Sequence, residues 1–231
     1  MKLKRISSGI PGLDPLIQQG FKEDSINLIA GEPGSGKTIF AIQFLLEGCK
    51  KNEAGIYITF EEKKDKLYED MASFGWDLEK YEKLGLFKYL EYTPEQVKKV
   101  LVEGGGFIEA IIEKIKVKRI VIDSITSFSL LYRDELTKKE AALALFDLIN
   151  KWNCTAVLTS QAKASDHQLF MDAALEFEVD SILILYHSKI NGERVRALEI
   201  LKMRGTKIPS KTYRIDIEKT GLYITKDIIK I

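Results

Sequence analysis

The sequence predicts an α/β fold: a mainly parallel sheet with helices on both faces and a C-terminal antiparallel extension. Three observations carry this expectation. From residue 25 to about 186, short apolar runs of strand length alternate with longer helix-like segments, the pattern of a parallel sheet covered on both faces. Arg119-Ile120-Val121-Ile122-Asp123 is apolar on both faces until its final carboxylate, as a strand buried between two layers must be. After Tyr186 the character changes. Asn191-Gly192 is a hairpin turn between two strand-like runs, and Tyr213, Ile215 and Ile217 alternate with Thr212, Arg214 and Asp216 as in a half-exposed strand.

Taken in order, Ile10-Pro11-Gly12-Leu13-Asp14-Pro15-Leu16-Ile17 allows only a short helical turn between its prolines, with Leu13, Leu16 and Ile17 facing inward. Ser25 to Ala30 is a buried strand, and the segment from Ile39 to about Lys50 a helix, with Asn52 beginning the turn. Gly55 to Phe60 is the second core strand. Leu67, Met71 and Phe74 fall at i, i+4 and i+7 of the helix after it, which Gly75 stops. Leu86 to Leu90 is a short strand. Thr93-Pro94-Glu95-Gln96 is a capping box with Pro at the first helical position. Gly104-Gly105-Gly106 interrupts that helix, which resumes with Phe107, Ile108, Ile111, Ile112 and Ile115.

The third core strand, Arg119 to Asp123, leads through a stretch expected to be mobile, Ser124 to Leu136. A second capping box, Thr137-Lys138-Lys139-Glu140, then opens a helix carrying Ala141, Leu145, Leu148 and Trp152 on one face. Thr155 to Gln161 is the fourth core strand. The segment from Ala162 to Glu178 reads as polar and then helical, and Val179 to Tyr186 is the fifth strand. Lys219-Thr220-Gly221 turns into Leu222-Tyr223-Ile224. With no internal repeat, linker or low-complexity tract, the expectation is one domain over residues 1–231.

The bulk numbers narrow the function classes. Lys+Arg is 35 against 34 for Asp+Glu, so no global field draws the chain to nucleic acid or membrane. A 30% charged fraction with abundant Lys and Glu suits a thermophile's surface. Cys49 and Cys154 show no pairing pattern and read as buried thiols of a reducing compartment. His167 and His187 are the only histidines, which disfavours a His-based metal site. There is no signal peptide and no apolar run of membrane-spanning length, so the expected location is cytoplasmic.

Gly31-Glu32-Pro33-Gly34-Ser35-Gly36-Lys37-Thr38 matches the G-x-x-x-x-G-K-[ST] phosphate loop in full, between a predicted strand and a predicted helix that opens at Ile39. Glycines let the backbone bend so that its N–H groups point at phosphate oxygens, and the following helix N-terminus adds partial positive charge. Lys37 is expected to reach the β- and γ-phosphates, and Thr38 to place its hydroxyl on Mg²⁺. Ligands of an open parallel sheet bind at the strands' carboxyl ends. Asp123 there suits the second Mg²⁺-site carboxylate, and Glu61 and Glu62 can orient and deprotonate an attacking water. Gln161 can sense the γ-phosphate from the adjacent strand.

This arrangement resembles the RecA superfamily, and more closely its KaiC-like branch of ATPases, over nearly the whole chain. Ser8-Gly9-Ile10-Pro11-Gly12-Leu13-Asp14 looks like that branch's motif ahead of the phosphate loop. Tyr57-Ile58-Thr59-Phe60-Glu61-Glu62 looks like its strand ending in paired glutamates, and Ile122-Asp123-Ser124-Ile125-Thr126 like its Mg²⁺-site strand. Leu201-Lys202-Met203-Arg204-Gly205 is similar to its Lys-x-Arg-Gly segment. The resemblance implies a three-layer RecA-like fold, ATP and Mg²⁺ as ligands, Glu61 as catalytic carboxylate and Glu62 as its support. It also implies that Lys202 and Arg204 act on the γ-phosphate bound by the neighbouring subunit of a homo-oligomeric ring, usually a hexamer. Without the resemblance, Lys202 and Arg204 read as surface charges.

There are departures from the family pattern. Its glycine run is reduced here to Gln18-Gln19-Gly20, and the chain carries one ATPase domain where the clock protein KaiC has two, so timing and autophosphorylation are not carried over. Two other readings stay open. A DNA-binding recombinase paralogue would need cationic density near Ala162 to Gln168, where one Lys is offset by one Asp. A small-molecule kinase would need an Arg-rich lid, and the arginines are scattered. A GTPase is disfavoured because Asn150-Lys151-Trp152-Asn153 and Thr137-Lys138-Lys139-Glu140 both lack the final Asp of the guanine-reading motif.

Overall fold

The computed structural model describes residues 4–93, 95–96, 99–100, 106–132, 134–165, 168–170 and 178–230. A nine-stranded sheet forms its middle layer. In chain order the strands are β3 (Ile26–Gly31), β4 (Gly55–Thr59), β5 (Phe87–Glu91), β6 (Arg119–Asp123), β7 (Thr155–Gln161), β10 (Ser181–Ile190), β11 (Glu193–Met203), β12 (Tyr213–Glu218) and β13 (Gly221–Ile228). Their spatial order is β13-β12-β11-β10-β3-β7-β6-β4-β5. The pairings from β10 through β3, β7, β6 and β4 to β5 are parallel, and those from β10 out to β13 are antiparallel. The predicted parallel sheet with its antiparallel extension is therefore the fold observed.

Period-2 geometry splits the strand side chains between two cores. Ile29, Tyr57, Val121 and Val157 face α1 (Lys37–Lys50), α2 (Lys64–Ala72) and α3 (Leu78–Lys83). Leu28, Ile56, Ile58, Ile120, Ile122 and Leu158 face α4 (Gly106–Ile115), α5 (Ile125–Ser129) and α6 (Glu135–Lys151). This makes three layers. Cys49 and Cys154 are buried free thiols, and burial pushes them up to about 11 and about 12 respectively.

The N-terminal motif is a clamp. Ser8 donates through both its N–H (2.9 Å) and its hydroxyl (2.5 Å) to the Asp14 carboxylate, setting up the single 3-10 turn Asp14–Ile17. Gln43 of α1 then ties this segment to β13, donating to Gly9 O (3.1 Å) and Leu222 O (2.9 Å) while accepting from Leu222 N–H (2.9 Å). Gly12 has φ +86°, and a Cβ there would stand 2.3 Å from Ile224 O, so only glycine lets the clamp close. Gln18 and Gln19 adopt φ 56° and 80° before Gly20, so glutamines hold left-handed backbone in that turn.

Several local expectations need correction. Residues 5–6 (β1) and 21–22 (β2) pair as a two-stranded bridge that their sequence did not signal. Thr137 does not cap α6; Asp134 does, accepting from Thr137 N–H at 2.9 Å, so that helix starts three residues earlier. The stretch after Asp123 contains α5, held by buried Ile125 and Phe128. After Gln161 the chain forms a short antiparallel pair, β8 (Lys163–Ser165) with β9 (Gln168–Phe170). The Thr93–Gln96 capping box forms at 2.7 and 3.3 Å. Pro94, Gly104, Gly105 and, of the segment expected to turn helical before Glu178, residues 171–177 lie outside the described residues.

Candidate nucleotide site

The phosphate loop leaves the carboxyl end of β3, at the middle of the sheet, and closes into α1. Gly36 precedes that helix with φ +103°, a left-handed conformation, and a Cβ there would press on Leu222 and Ile217 at 3.1 and 3.2 Å. Lys37 Nζ donates to the carbonyls of Gly31 and Glu32, both at 2.9 Å, so its ammonium is folded back over the loop. Burial draws the Lys37 ammonium below its usual range, opposed by the charges of Asp123 and Glu32. The Ser35 hydroxyl is fully buried and finds no hydrogen-bond partner, an orphaned polar atom inside the phosphate cradle.

Asp123 ends β6 one strand away from β7 and two from β3. Its carboxylate accepts from Thr38 Oγ1 (2.8 Å), Tyr57 OH (2.8 Å) and Thr159 Oγ1 (2.5 Å). Thr38 and Asp123, 85 positions apart, are thus brought together with oxygen ligands facing one another, the donor type a hard divalent cation takes. Beside them the Ser124 hydroxyl is buried and unpartnered.

Glu61 and Glu62 follow β4, whose last residue turns the chain. Thr59 Oγ1 accepts from the N–H groups of both glutamates, at 3.3 and 3.2 Å. Together with Thr38, Asp123, Ser124, Lys63 and Lys66 they line a cleft of 410 Å³. Glu61 is exposed at its rim and accepts from the Ser127 hydroxyl; Glu62 is half-buried. Burial and then the charges of Asp123 and Asp70 raise the Glu62 carboxyl above its usual range, against the pull of Lys66. A raised folded-state value means that protonation favours the fold. This destabilising contribution is absent below the unfolded carboxyl range and develops as pH rises through the folded value. Glu62→Gln should therefore raise the thermal midpoint at pH 8, with the gap to wild type closing by pH 4; an equal gap at both pH values would contradict it.

On the other side of the loop a second cleft of 520 Å³ is lined by Gly34, Gly36, Lys37, Thr38, Ile39, Arg196 and Ile217. Arg196 Nε donates to Gly34 O at 2.9 Å. Gln161, at the end of β7, pairs in register with Gly31, and its N–H donates to Thr126 Oγ1 at 2.8 Å. Residues Gly31 to Ile39, Glu61, Glu62, Asp123 and Gln161 thus converge on one edge of the sheet.

Lys202 and Arg204 do not join them. β11 runs antiparallel to β10, which is parallel to β3. Lys202 pairs with Ile182, which is level with Leu28, three residues short of Gly31 and roughly 10 Å back along the strand. Arg204 lies further away, its N–H donating to Asp180 O at 2.8 Å. Both belong to the opposite end of the sheet from this chain's own phosphate loop.

Sequence reading missed Tyr57, Thr159, Ser127, Arg196 and Ile217. A signal existed for two of them, because a phenol or hydroxyl inside an apolar strand must find a partner.

The KaiC ATPase family model matches residues 6–228. This chain belongs to the KaiC family of ATPases. Among its relatives, the UPF0273 protein PF1931 of Pyrococcus furiosus is 34% identical, over 97% of this chain and 95% of that one. The circadian clock protein KaiC3 of Synechocystis sp. is 32% identical over 88% of this chain but only 42% of its own length. The crystal structure of the KaiC-like protein PH0186 from Pyrococcus horikoshii superposes with a TM-score of 0.85 at 34% identity, covering 96% of this chain and 99% of that one. The KaiC-like, RecA-type fold expected from the motifs is the one found, and membership of an ATPase family implies nucleotide binding. Among the described residues, no helix is long and apolar enough to cross a membrane.

Proposed function

We propose that this protein, as one ATPase unit across residues 1–231, hydrolyses ATP with Mg²⁺ at interfaces between copies of itself arranged in a ring. The observation that carries the reading is the 2.8 Å contact between phosphate-loop Thr38 and Asp123, beside a cleft bearing Glu61 and Glu62. The loop's N–H groups and Lys37 take the β- and γ-phosphates, with Lys37 exchanging its two loop carbonyls for phosphate oxygens. Thr38 and Asp123 would hold Mg²⁺ through their oxygens, the donor type that ion takes. The bound ion would neutralise charge developing on the phosphate oxygens.

Tyr57 donates to the same Asp123 Oδ2 as Thr38 and Thr159 donates to Oδ1, and together they keep the carboxylate oriented. Glu61, open to solvent at the cleft rim, takes the proton of the attacking water, and Glu62 sets the field around it. Gln161 faces the γ-phosphate end. The cleft beside the loop, where Ile39 and Ile217 offer apolar surface next to Arg196, suits the base and ribose.

The position of Lys202 and Arg204 supports action in trans. Set back along the sheet from their own loop, they act on a γ-phosphate bound by another copy, and repetition of that head-to-tail contact closes a ring. Arg204→Ala titrated into wild-type protein should depress ATPase activity by more than its mole fraction. Strictly proportional loss would remove the trans role, leaving the loop chemistry untouched.

A further inference from the structure

The short helix α5 follows the carboxyl end of β6, and its first four residues divide by direction. Ile125 and Phe128 are buried in the core, and Phe128 packs edge-on against Tyr132 at 5.3 Å. Between them, Thr126 reaches toward β7, its hydroxyl accepting the Gln161 N–H at 2.8 Å and lying 3.3 Å from Ser160 Oγ. Ser127 reaches the other way, toward the end of β4, and its hydroxyl donates to Glu61 Oε1. Since β6 lies between β4 and β7, one turn of helix bridges the two strand ends that face the γ-phosphate.

We propose that Ser127 is a positioning residue for the catalytic carboxylate. It fixes Glu61 through Oε1 and leaves Oε2 aimed into the cleft as the proton acceptor for water. The inference rests on Glu61 being that acceptor. Glu61 needs such a partner because it is otherwise exposed, on a loop after the strand, with three rotatable side-chain bonds. Its backbone is held by Thr59, but nothing else described holds its carboxylate in one rotamer. An unheld carboxylate spends most of its time away from the attacking geometry, and small misplacements cost large factors in rate. Thr126 adds a consequence: the same helical turn that orients Glu61 also accepts from the backbone of Gln161, so both γ-phosphate-facing groups share one rigid support.

The test is the single-turnover rate of γ-phosphate cleavage, enzyme in excess, which reads chemistry rather than product release. Ser127→Ala should slow cleavage roughly tenfold to 10²-fold with ATP affinity and thermal midpoint unchanged. Ser127→Thr, which keeps the hydroxyl, should recover most of the rate. The double variant with Glu61→Gln should be no slower than Glu61→Gln alone, since the two groups act as one unit. A wild-type rate in Ser127→Ala, or equal losses in the Ala and Thr variants, would overturn the proposal. Full activity in Glu61→Gln would instead remove the acceptor on which it rests.

Discussion

Lys37→Ala should abolish tight ATP binding, weakening affinity by at least 10²-fold. The ammonium is the one positive charge of the loop, and it is already partly desolvated and held over the cradle by the carbonyls of Gly31 and Glu32. Phosphate oxygens would replace those cation–dipole contacts with cation–anion ones, in a partly buried site where solvent screens less than in bulk water. Removing the group leaves β- and γ-phosphates facing only backbone N–H groups. Isothermal titration with ATP–Mg²⁺ checks it, with circular dichroism confirming that the fold survives. Micromolar affinity in the variant would refute the assignment of this loop to phosphate binding.

Glu61→Gln is expected to leave ATP binding intact and to lower turnover by roughly 10²- to 10⁴-fold, the range of a lost general base. The amide is isosteric and retains an oxygen for Ser127, so the local structure should persist while the proton acceptor is gone. Glu62→Gln should behave differently. The half-buried Glu62 faces Asp123 and carries a raised carboxyl, so its neutralisation changes the field of the cleft and the stability of the fold before it changes proton transfer. Measured phosphate release equal to wild type in Glu61→Gln would take the catalytic role from that residue and leave Glu62 as the carboxylate to test.

The strands, the helix after the phosphate loop and the antiparallel tail were legible because each rests on local rules. Ile26–Gly31 and Arg119–Asp123 are apolar throughout and can lie only between two layers. The misreadings came where local signals competed. Thr137-Lys138-Lys139-Glu140 is a valid capping box, yet Asp134 lies three residues earlier and accepts from Thr137 N–H first. The polar start after Gln161 carries no helical or strand period, and its pairing as β8 and β9 shows only in the backbone register. α5 is too short to show a period, and it exists because Ile125 and Phe128 find the core.

By itself the sequence determined the phosphate loop, the strand-end carboxylates and the alternation that places them at one edge of a parallel sheet. Those follow from backbone chemistry at fixed spacing. Only the tertiary structure decided which groups touch. It joined Thr38 to Asp123 across 85 positions, set Tyr57 and Thr159 on the same carboxylate, and brought Ser127 to Glu61. It also set Lys202 and Arg204 back along the sheet from this chain's own phosphate loop. Strand direction and register are decided by pairing between distant segments. A one-residue spacing in a motif carries no record of them.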